Sequence, residues 1–71
     1  MDAGWLKIVQ EHSLHLELYY SKTMDWYLHI YQKEGEEVEC ICKTQSPDLG
    51  FVMAKGEVAL KGWLLKNNGG Y

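Results

Sequence analysis

Residues 14–20 read Leu14-His15-Leu16-Glu17-Leu18-Tyr19-Tyr20, and residues 26–33 read Trp26-Tyr27-Leu28-His29-Ile30-Tyr31-Gln32-Lys33. Both runs alternate apolar and polar with period 2, the mark of a strand that buries one face. In the first run Leu14, Leu16, Leu18 and Tyr20 share a side, opposite His15, Glu17 and Tyr19. In the second, Trp26, Leu28 and Ile30 oppose Tyr27, His29 and Tyr31. Between them Ser21-Lys22-Thr23-Met24-Asp25 is mostly polar and suits a hairpin loop.

A third run follows over residues 37–43, after a turn at Glu34-Gly35-Glu36 in which Gly35 supplies a positive φ. Val38, Cys40 and Cys42 lie on one side of it, and Glu37, Glu39, Ile41 and Lys43 on the other. A slip of one residue in either hairpin would invert a whole strand, so the paired positions need an even sum. That parity buries the Leu14, Leu16, Leu18, Trp26, Leu28, Ile30, Val38, Cys40 and Cys42 side.

Ser46-Pro47-Asp48 reads as a helix start, with Ser46 able to cap and Pro47 tolerated at the first helical position. Residues 48–67 then carry Ala, Leu, Met and Lys at helical spacing, ending at Asn67-Asn68-Gly69-Gly70. Gly50, Gly56 and Gly62 weigh against a helix at roughly 1 kcal/mol each, and a hairpin turning at Lys55-Gly56 is the rival reading. Residues 5–10 fit a first strand; a short helix presenting Trp5, Ile8 and Val9 is the alternative. The expected fold is α+β: a small antiparallel β-meander of three to four strands with one C-terminal α-helix packed on one face. It forms a single domain over residues 1–71, with sheet at about 5–43, helix at about 48–67 and a short tail at 68–71.

With 71 residues the chain is one small domain that buries only roughly 60% of its unfolded surface. At 46% hydrophobic and 13% aromatic it is too apolar for intrinsic disorder. Net charge is −3, and all seven basic residues are Lys. Arg is the usual residue for bidentate phosphate and guanine contacts, so direct nucleic-acid binding is not expected. Cys40 and Cys42 are two residues apart on one strand and make no disulfide framework, which fits an intracellular, cytoplasmic setting. No apolar run is long enough to span a membrane, and Met1-Asp2-Ala3-Gly4 has no basic start of a signal peptide.

Three surfaces stand out. The sheet face with Tyr19, Tyr27, His29 and Tyr31 carries more aromatic area than a solvated face needs, and Tyr is enriched in protein interfaces. The acidic turn Glu34, Glu36, Glu37 and Glu39 would meet a basic partner. On the helix, Leu49, Val52, Met53, Gly56, Ala59, Leu60, Trp63 and Leu64 form the core-facing side. Opposite them Phe51, Val58 and Leu65 recur every seven residues beside Lys55, Lys61 and Lys66, a seam of the kind that packs helix on helix.

No phosphate loop, acid/base constellation or activated cysteine is legible. His15, His29 and Glu17 could hold a metal only with a fourth ligand that the sequence does not offer. The expected function is a small acidic non-enzymatic protein-binding module without a cofactor. It would act as an inhibitor or adaptor that occludes a partner's surface. One concrete form is a phage-type anti-defence inhibitor of a nucleic-acid-binding protein. The rivals are a structural module that dimerises through the outer helix face, and a minimal His/Glu metal-binding protein.

Overall fold

Residues 4–68 are described by the computed structural model, in the order α1 (Leu6–Glu11), β1 (His15–Tyr20), β2 (Trp26–Glu34), β3 (Glu37–Ser46) and α2 (Leu49–Asn68). The strands form one antiparallel sheet in the order β1-β2-β3. The small α+β meander with a C-terminal helix is therefore present. Residues 1–3, and residues 69–71 of the expected tail, lie outside the described residues.

The first hairpin has the expected parity. His15 pairs with Tyr31, Glu17 with His29, and Tyr19 with Tyr27. Its loop is closed by the Ser21 N–H donating to the Asp25 carbonyl at 2.8 Å, with Met24 at a positive φ of 66°. In the second turn Gly35 sits at φ 61°, the positive first position of a two-residue hairpin loop.

The structure departs from expectation at four places. Residues 5–10 are helix rather than strand, because Trp5, Leu6, Ile8 and Val9 turn a helical stripe onto the core while Lys7 and Gln10 face solvent. The sheet therefore starts at His15 and has three strands, and β3 runs on to Ser46. The second hairpin carries a β-bulge: Ile30 pairs with Cys42, but Tyr31 pairs with Cys40, leaving Ile41 as the extra residue. Before the bulge, the side chains of β3 are therefore inverted relative to a single even register. Val38 and Cys40 face outward and are exposed, while Glu39 turns to the helix side. Finally, the cap of α2 is Asp48 rather than Ser46. Asp48 Oδ1 accepts from the Gly50 N–H at 2.9 Å, and Ser46 Oγ accepts from the Asp48 N–H at 3.1 Å.

Helix α2 is continuous through Lys55-Gly56, so the rival hairpin does not occur. It lies across β3 and β2. Val52 and Leu60 are fully buried in one cluster with Leu28, Ile30 and Cys42, and Leu64 is fully buried as well. Gly56 lets the layers meet: a Cβ there would lie 2.4 Å from Leu28 Cδ2 and 3.1 Å from Trp5 Cη2. Trp5, 6% exposed, closes the core from α1.

Candidate functional site

Because both helices pack on one side of the sheet, the other side is left to the alternate residues of each strand. Register brings them into rows. His15, Tyr31 and Cys40 form the first row, Glu17, His29 and Lys43 the second, and Tyr19, Tyr27 and Gln45 the third. Directly opposed residues lie close enough across strands for their side chains to pair, and they do. The Tyr19 and Tyr27 rings stack with centroids 5.1 Å apart and planes within 4°. His15 stacks on Tyr31 at 5.0 Å, and His29 tilts against Tyr31 at 4.7 Å. Glu17 Oε2 stands 3.5 Å from His29 Nδ1. At the loop end Gln45 Nε2 donates to Asp25 Oδ2 at 3.0 Å.

All four residues singled out in the sequence, Tyr19, Tyr27, His29 and Tyr31, thus lie on one face. His15, Glu17 and Lys43 join them as immediate neighbours. Strict alternation along β1 and β3 already places His15, Glu17 and Lys43 on this face, whereas the register adds Cys40 and removes Glu37 and Glu39 from it. Tyr19 is the most open of the four at 54% exposure. His15, His29 and Glu17 do not converge on one point: no group of three His, Cys, Asp or Glu side chains suited to a metal occurs among the described residues.

The acidic set lies together on the turn side of the bulge. Glu34 and Glu37 face each other across the turn and Glu36 sits in it. Glu39 is engaged from the other layer, accepting a 2.7 Å hydrogen bond from Trp63 Nε1. This bond borders an open groove of about 390 Å³ between β3 and α2, lined by Cys40, Ile41, Gly62 and Lys66 among others.

On α2, the heptad-spaced residues point to solvent: Phe51 is 47%, Val58 73% and Leu65 58% exposed. Lys55 lies over the Phe51 ring at 5.6 Å, and Lys61 pairs with Glu57 at 2.7 Å. The seam is real as a surface, and α1 packs at Gly56 on the opposite side of the helix.

The buried thiol of Cys42 is pushed above its ordinary value, first by burial and then by the neighbouring Cys40, with Lys55 acting the other way. A thiol held neutral in this manner is a core side chain rather than a nucleophile.

Compared with known proteins, the chain matches no family model, no curated protein and no solved structure. No described helix is long and apolar enough to cross a membrane.

Proposed function

We propose that this chain is a small acidic, non-enzymatic protein-binding module, an inhibitor or adaptor that works by covering a partner's surface with the aromatic face of its sheet. The observation that carries this reading is the pair of stacked ladders, Tyr19 on Tyr27 and His15 on Tyr31, on a sheet face that neither helix covers. Rings already stacked against each other lose little rotamer freedom when a partner arrives, so their area converts efficiently into affinity. The glutamates at the second turn extend the same molecule's negative field toward a basic partner.

The test is affinity capture from the source cell, read by mass spectrometry, with the wild type beside a Tyr19→Ala/Tyr27→Ala double variant and a Glu34→Gln/Glu36→Gln/Glu37→Gln triple variant. A partner held by the wild type, lost with the tyrosines and weakened by salt fits the reading. A partner held equally by all three would move the interface elsewhere.

A second reading rests on the exposure of Phe51, Val58 and Leu65: a structural module that associates through the outer face of α2. Under it, Val58→Lys abolishes association and the tyrosine variants do not.

A further inference from the structure

We infer that two copies of this chain pair edge to edge through β1, antiparallel and centred on Leu18, making one continuous sheet across both copies. The two edges of the sheet are unlike each other. β3 is blunted by the bulge at Ile41 and by the charges of Glu37, Glu39 and Lys43, the devices that discourage edge pairing. β1 carries one charge, Glu17, and has no proline and no bulge against β2.

Hydrogen-bond parity fixes which groups of β1 face outward. Ser21 donates to Asp25 in continuation of the β1–β2 register. Bonded and non-bonded positions alternate along an antiparallel pair. His15, Glu17 and Tyr19 therefore turn their N–H and C=O toward β2, and Leu16, Leu18 and Tyr20 turn theirs away. Leu14 obeys the same parity: its N–H leaves the sheet and donates to the Val9 carbonyl at 2.9 Å. The chain around α1 thus closes the edge at Leu14, and among the described residues it leaves the three residues beyond Leu14 open. Leu16 packs partly against the core, but Leu18 and Tyr20 carry apolar side chains on the helix side of the sheet beyond α2, which lies on β2 and β3. Leu18 is 39% and Tyr20 56% exposed. Open backbone and uncovered apolar side chains coincide on one short segment.

A two-fold axis at Leu18 satisfies both. It sets Leu18 opposite Leu18 of the second copy and Leu16 opposite its Tyr20, each a pair that exchanges both N–H···O bonds. The edge dipoles are self-complementary under this rotation, and Glu17 falls opposite Tyr19 of the second copy rather than opposite another Glu17. A centre at Glu17 would set the two Glu17 carboxylates against each other and bond only Leu16 with Leu18, and a centre at Tyr19 would bond only Leu18 with Tyr20, so each makes fewer bonded pairs than the three centred on Leu18. A centre at Leu16 would require Leu14, whose N–H is taken. Six residues of strand span about 20 Å, and a contact of that length falls short of the roughly 800 Å² per partner of a standard interface. Association is therefore reversible and dependent on concentration. It leaves the Tyr19–Tyr27 face open and does not rest on the protein-binding reading.

Sedimentation equilibrium from micromolar to millimolar chain tests this. The mass rises from 8.2 kDa to twice that value. Leu18→Lys stays monomeric with an unchanged circular dichroism spectrum, and Val58→Lys still dimerises. In a Cys40→Ser background, Leu18→Cys forms an intermolecular disulfide on mild oxidation, since bonded pairs bring Cα atoms to about 5.5 Å. Tyr20→Cys does not. A chain monomeric at every concentration, a dimer abolished by Val58→Lys, or equal cross-linking from both cysteine variants would overturn the proposal.

Discussion

Two glycines of the same helix have opposite roles. At Gly56 the surrounding Leu28, Trp5 and Ile30 side chains occupy the space that a Cβ would need. Leu28 is itself only 1% exposed, so its methyl has little room to retreat. Overpacking of this kind costs about 1–3 kcal/mol, against about 1 kcal/mol gained in helix propensity. Gly56→Ala is therefore expected to lower stability in urea denaturation. At Gly62 nothing lies within reach of a Cβ, and Gly62→Ala should raise stability by about 1 kcal/mol. Equal effects at both sites would contradict the packing described for Gly56. Cys42 gives a second handle. Its folded pKa is raised, so its contribution is fully present below the ordinary thiol value of 9.0 and is lost as pH climbs through the raised value. Stability measured through the alkaline range should fall more steeply for the wild type than for Cys42→Val.

Among the elements, α2 depends on its cap. Asp48 Oδ1 also accepts from the Phe51 N–H at 3.4 Å, and its charge sits at the positive end of the helix. Asp48→Ala should cost about 1 kcal/mol, read as a shift of the urea midpoint, and Asp48→Asn should recover most of it. The β3 bulge has the larger structural consequence. One extra residue, Ile41, turns Val38 and Cys40 to solvent and places Glu39 where Trp63 can donate to it. Alternation in β3 was legible, but the bulge was not. Val38-Glu39-Cys40-Ile41-Cys42 reads as a plausible strand in either parity, and only the pairing with Trp63 and the closure at Gly35 select between them.

Taken whole, the molecule is a single sheet with helices on one side, and α1 is part of its core rather than an appendage. Trp5 is the side chain that joins α1 to both Gly56 and β2. A domain of this length has roughly 4–10 kcal/mol of total stability, and truncating a buried Trp costs about 3–5 kcal/mol. Trp5→Ala should bring the chain close to unfolding at room temperature, seen as a collapsed thermal transition. A variant that melts like the wild type would mean that α1 is dispensable. The same one-sided layering is what leaves the Tyr19, Tyr27, His29 and Tyr31 face without a cover.

The sequence by itself determined the two-faced strands, the parity of the first hairpin, the place of the long helix and the membership of the aromatic face. Those features are written in local periodicity and turn chemistry, which neighbouring residues carry on their own. The tertiary structure decided the rest. Residues 5–10 hold β-branched Ile8 and Val9 and fit a strand locally, yet they coil because only a helix sets Trp5 over Gly56 and brings the Val9 carbonyl to Leu14. The bulge, the switch of Glu39 from the outer face to Trp63, and the uncovered edge of β1 likewise depend on which layers meet and how far α2 reaches. These are contacts between distant segments, and no spacing within a segment encodes them.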